Sequence, residues 1–112
     1  MESTIQLADM YKQDFDALQK QYDGDIGEWA SDLFLDVEYT INANGDLKRL
    51  CLQRTAGGPN AWVCLNGTDF VTVEVYEPFK EPKKITFSHP MAKEVFSYFD
   101  DLLHETIICE NK

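Results

Sequence analysis

The chain has 112 residues, 44% of them apolar, and a formal net charge of −10. That length and apolar content fit one compact domain over residues 1–112, burying about two-thirds of its unfolded surface, and argue against disorder. The charge argues against direct nucleic-acid binding, because phosphates repel it and the bases Lys80, Lys83, Lys84, Arg49 and Arg54 make too small a patch to compensate.

No apolar run approaches the ~20 residues of a membrane span. Met1–Phe15 lacks the basic start and apolar core of a signal peptide, so a cytoplasmic location is expected. In such a compartment Cys51, Cys64 and Cys109, far apart in sequence, read as reduced, unpaired, buried thiols rather than a metal site.

In chain order, Ser3–Gln6 reads as a capping box opening a helix. Leu7, Met10, Tyr11, Phe15, Leu18 and Tyr22 recur at steps of three and four and give that helix one apolar stripe. Asp9, Asp16 and Asp23 fall off the stripe, and Gly24 closes the helix. A short second helix follows from Asp25 as cap, with Glu28 at its third position and Ile26, Trp29, Ala30 and Leu33 inward. Trp29 reads first as core and second as an interface anchor.

The period then becomes two. Leu35, Val37, Tyr39 and Ile41 alternate with Asp36, Glu38 and Thr40, and Asn44-Gly45 predicts a two-residue hairpin turn. That turn sets Ile41 opposite Lys48, Tyr39 opposite Leu50 and Val37 opposite Leu52, and on the other face Thr40 opposite Arg49, Glu38 opposite Cys51 and Asp36 opposite Gln53. Arg54–Asn60 is a loop. "AWVCL" and "FVTVEVY" are strands, and an even-length connection at Asn66–Asp69 puts Trp62 and Cys64 on one face with Val71, Val73 and Val75. Pro78 and Pro82 bracket an irregular link to a fifth strand, "KKITF", at an edge guarded by lysines. Ser88 caps a last helix with Pro90 in its first turn and Ala92, Val95, Phe96, Phe99, Leu102 and Leu103 as its stripe.

The expected fold is therefore α+β: an antiparallel meander of about five strands, flanked by an N-terminal helix, a short second helix and a C-terminal helix. Val37, Tyr39, Leu50, Leu52, Trp62, Val71 and Val73 are its predicted core. The second sheet face is left at least partly open.

No catalytic constellation emerges. Asp100 and His104, four apart, read as a surface pair rather than half of a dyad. "AGGPN" lacks the lysine and helix of a phosphate loop. Asp14/Asp16 and Asp23/Asp25 only loosely resemble a cation loop. An enzyme ranks third among the readings, and no cofactor or metal is expected.

The acids are the remaining signal. Residues 1–46 hold eleven acids against two lysines, leaving a net −1 for the rest of the chain. Asp23, Asp25, Glu28, Asp32, Asp36 and Glu38 are the candidate partner-binding residues, either as a solvated face or as a mimic of spaced phosphates. Two classes of function fit. One is a stoichiometric inhibitor that masks a basic, nucleic-acid-handling protein, such as an immunity protein against a toxin nuclease or a phage-type blocker of restriction or CRISPR machinery. The other is a non-inhibitory interaction module, a chaperone or complex subunit, that binds through its open sheet face.

Overall fold

The computed structural model describes the backbone of residues 4–56 and 60–110 and the side chains of residues 9–56 and 60–105. The elements run α1 (Thr4–Lys20), α2 (Ile26–Leu33), β1 (Asp36–Ile41), β2 (Leu47–Thr55), β3 (Asn60–Leu65), β4 (Phe70–Tyr76), β5 (Lys83–Ser88) and α3 (Ala92–Glu110). The strands form one antiparallel sheet in the order β1-β2-β3-β4-β5, a meander in which each strand pairs with its neighbours in sequence. The fold is the expected α+β arrangement. The Ser3 cap, the Leu7 side chain, Gly57–Pro59 and the Cys109 side chain lie outside the described residues.

Alternation decides the two faces of the sheet. Leu50, Leu52, Ala61, Val63, Leu65, Val71, Val73, Val75, Ile85 and Phe87 point to one side and are buried. α1 packs against β5 and α3 against β2 and β3 on that side. α2 contributes Trp29, whose ring meets Phe15 at 5.2 Å and Phe34 at 5.0 Å between centroids. Its indole N–H donates to the Asp14 carbonyl at 2.7 Å, so the tryptophan satisfies its one polar atom while fully buried. Trp29 is therefore a core residue. Met10, Leu35 and Leu102, assigned inward from periodicity, lie at the margins and are substantially exposed, and Tyr39 is only partly covered. Period alone does not show how wide a stripe of each element the neighbouring layer covers.

The connections follow from local chemistry. Gly24 (φ +80°) closes α1 by donating its N–H to the Leu18 carbonyl, six residues back. Asp25 caps α2, its side chain accepting the Glu28 N–H at 3.1 Å. The first hairpin departs from the expected two-residue turn. The Gly45 N–H donates to the Asn42 carbonyl, Gly45 alone in the tip has positive φ (+86°), and the Asn42 N–H closes the loop onto the Asp46 carbonyl. This is a three-residue loop with a glycine bulge, reinforced by the Asn42 side chain accepting the Asn44 and Asp46 N–H groups. The register from Asp36↔Gln53 to Thr40↔Arg49 is as predicted, but the bulge pairs Ile41 with Leu47 rather than Lys48. Leu47 thereby joins the core.

The β3–β4 connection corrects a larger expectation. Leu65↔Val71 is the last pair, leaving five residues between them, an odd number. Asn66 accepts from the Thr68 N–H and hydroxyl, and Gly67 takes φ +90°, so the turn consumes one more residue than an even loop. One residue reverses every side chain of a strand. Trp62 and Cys64 therefore pair with Glu74 and Thr72 on the open face, away from Val71, Val73 and Val75.

The start of α3 is also corrected. Ser88 is the last residue of β5, opposite Phe70. The turn into α3 is instead organised by His89, whose carbonyl accepts the Ala92 N–H and whose Nδ1 accepts the Met91 N–H at 3.1 Å. That assigns the ring proton to Nε2, which donates to Asp16 at 2.8 Å and ties α1 to the head of α3.

Candidate functional site

The open face of the sheet carries the densest polar chemistry of the described residues. β2 places Arg49 and Cys51 there, β3 Trp62 and Cys64, β4 Thr72, Glu74 and Tyr76, and β5 Lys84 and Thr86. Glu38, Arg49, Cys51, Trp62, Cys64, Glu74 and Tyr76 line a shallow cavity of about 310 Å³. Glu74 is nearly buried and is held from two sides: the Arg49 guanidinium pairs with one carboxylate oxygen, and the Tyr76 hydroxyl donates to the other at 2.6 Å. Burial alone would raise the Glu74 carboxyl, but the Tyr76 hydrogen bond and the Arg49 charge outweigh it and hold the group below its ordinary value. The same hydrogen bond pushes the Tyr76 hydroxyl up.

Cys51 and Cys64 stand directly opposite each other in the β2–β3 register, with their sulfurs 2.6 Å apart. Both are free thiols. Cys64 is buried and Cys51 half-exposed, which separates them chemically. The hydrogen bond shared with the Cys64 sulfur, helped by the Arg49 cation, lowers Cys51 against the opposing effects of partial burial, Glu74 and Glu38. That same hydrogen bond, together with its burial, raises Cys64. The expectation of buried thiols holds at Cys64 and is corrected at Cys51, and these two cysteines, far apart in sequence, are neighbours in space. The hairpin register already placed Cys51 beside Glu38. What sequence reasoning missed was the partner, because an undeciphered loop and a register shift between Gln53 and Thr55 separate β2 from β3.

All six acids proposed for partner binding are exposed. Asp23 (φ +51°) lies in the turn after α1, Asp25 caps α2, and Glu28 and Asp32 lie one turn apart on the outer side of α2. Partial burial, a hydrogen bond with Asp32 and the Glu28 charge push the Tyr22 hydroxyl up, which sets these two acids beside the end of α1. Asp36 instead borders a groove between α2 and α3 with Ser31, Leu35, Tyr98 and Leu102. Glu38 faces the open-side cavity next to Cys51. The acids therefore wrap around the β1 edge rather than sharing one flat patch. None of the six has a lysine, arginine or histidine nitrogen within 4.0 Å among the described residues, whereas Asp14, Asp16, Glu74 and Glu77 are all paired.

Asp100 and His104 do form the expected helix-surface pair, at 3.2 Å. Among the described residues no group of three metal-ligating side chains converges, and no helix is long and apolar enough to cross a membrane. No known protein family, characterised protein or solved structure matches the chain.

Proposed function

We propose that the chain is a cytoplasmic binding protein that masks a basic site on a nucleic-acid-handling partner. The partner is of the toxin-nuclease, restriction or CRISPR-effector kind, and the acids of α2 and β1 occupy the place of its phosphates. The observation that supports this reading is local density: Asp23, Asp25, Glu28, Asp32, Asp36 and Glu38 are all exposed and without an ionic partner among the described residues, within one stretch, Asp23–Glu38, that contains no base. Side chains left this way keep their full field for a cationic surface and steer its approach.

The test is a partner captured on the full chain and identified, followed by a salt titration of the purified pair. Masking by charge requires affinity to fall steeply with ionic strength and nucleic acid to compete for the same site. Reversal of Asp32, Asp36 and Glu38 to lysine should weaken binding at least about a hundredfold, since three charges change sign, a shift of six units at the contact. Unchanged affinity in that triple variant removes the reading.

One observation favours a second reading, an interaction module using the open sheet face: Trp62 is half-exposed there beside Tyr76 rather than packed in the core. In that case Trp62→Ala abolishes binding, the acid reversals do not, and salt has little effect.

A further inference from the structure

We propose that Cys51 and Cys64 form a thiol–disulfide exchange site on the open sheet face, with small disulfides as substrates, Cys51 as the attacking sulfur and Cys64 as the resolving one. Three features of geometry carry this. The two residues are directly opposed on neighbouring antiparallel strands, where Cα atoms stand about 4.5–5.5 Å apart, inside the range a disulfide spans without backbone movement. Their sulfurs already face one another at 2.6 Å. The pair opens into a cavity of about 310 Å³, and of the two Cys51 is partly exposed while Cys64 is buried.

The chemistry balances as two exchanges. The Cys51 thiolate attacks one sulfur of an external disulfide RS–SR. The external S–S bond breaks, a mixed disulfide forms on Cys51, and RS⁻ leaves to take a proton from water. Cys64 then gives its proton to solvent and attacks the Cys51 sulfur. The mixed disulfide breaks, a second RS⁻ leaves, and the Cys51–Cys64 bond forms. The protein dithiol has lost two electrons, and the external disulfide has become two thiols. Excess external thiol runs the sequence backwards.

The surroundings suit these roles. Arg49 lies beside the pair and favours the thiolate over the thiol at Cys51, as an adjacent cation does at other reactive cysteines. Cys64 keeps its proton until Cys51 is consumed, because its hydrogen bond to Cys51 and its burial both favour the thiol. β2 and β3 are fixed by their ladder on either side of the pair, so oxidation and reduction require no unfolding.

The test uses the full reduced chain and the uncharged probe bis(2-hydroxyethyl) disulfide at neutral pH, read by intact mass and peptide mapping. The native wild type should lose two hydrogens, keep no adduct, and map its new bond to Cys51–Cys64. In urea, where the register is lost, the three cysteines should react alike and give mixed adducts. Cys64→Ser should retain one mercaptoethanol group on Cys51, and Cys51→Ser should leave Cys64 at least tenfold slower to modify than Cys51 is in Cys64→Ser. A native wild type that stays a dithiol, or that takes up adduct only on Cys109, overturns the assignment. So does equal reactivity of the two single variants. None of these outcomes depends on a macromolecular partner, so the masking reading stands or falls separately.

Discussion

Glu74 shows how one side chain can be buried in a sheet and remain charged. Its carboxylate is nearly inaccessible, yet Arg49 from β2 and Tyr76 two residues along β4 satisfy it. A buried charge without such partners would cost several kcal/mol, so the three residues stand or fall together. Because the folded carboxyl is held below its ordinary value of 4.5, the unfolded chain binds its proton more readily than the folded one. The stabilisation is therefore complete above about pH 4.5 and lost as the pH falls through the lower folded value. Glu74→Gln keeps an acceptor for Tyr76 but removes the charge facing Arg49. It should cost about 1 kcal/mol at neutral pH, a modest figure because Arg49 is itself half-exposed. The gap from wild type should narrow below about pH 4.5 in urea-denaturation midpoints. A gap that stays constant down to pH 3 would show that Glu74 acts through packing rather than charge.

At the scale of elements, the helix α2 is short for its influence, because its stability comes from what it buries. Eight residues place Trp29 between Phe15 and Phe34, and the indole also bonds to the α1 backbone. Trp29→Ala should destabilise the domain by about 3–5 kcal/mol, at the upper end because the Asp14 carbonyl loses its donor. Thermal unfolding checks this, and a loss under about 1 kcal/mol would mean that α2 is held mainly by its cap. Every element was legible in the sequence, since long periodic stripes and alternation survive small errors. Faces were legible only where the loop was. In β1–β2 the Asn44-Gly45 turn was misjudged by one residue, but the bulge absorbed the shift at Ile41 and left the remaining pairs unchanged. In β3–β4 no bulge intervened, and the extra residue of the Asn66–Phe70 turn moved Trp62 and Cys64 to the opposite side. The thiol pair depends on a different register, that of β2 against β3, which the shift between Gln53 and Thr55 displaces. The acids needed none, because exposure and sign are visible in composition.

The charge of the whole molecule bears on its own stability as well as on any partner. With a net −10 and much of that charge unpaired around the β1 edge, folding draws like charges together that the extended chain keeps apart. The ion pairs oppose this: Arg54 with Asp14, Lys80 with Glu77 and Lys93 with Asp69 all gain from low salt. The two lysine pairs are exposed and each contribute well under about 1 kcal/mol, Arg54–Asp14 is more covered, and repulsion sums over every uncompensated acid. Repulsion should win, so added salt should stabilise the free protein. Its melting temperature should rise by several degrees between low ionic strength and about 0.5 M sodium chloride, as the Debye length falls below the spacing of the acids. Reversing Asp32, Asp36 and Glu38 to lysine adds two positive charges at each of three sites and moves the net charge from −10 to −4. That variant should melt higher than wild type at low salt and show a flatter dependence on salt, the two curves converging as screening removes the difference. Urea unfolding across the same salt series gives an independent reading. A wild-type stability that falls as salt is added would mean that the paired acids outweigh the unpaired ones. The edge of β1 would then carry too little field either to strain the fold or to attract a basic protein.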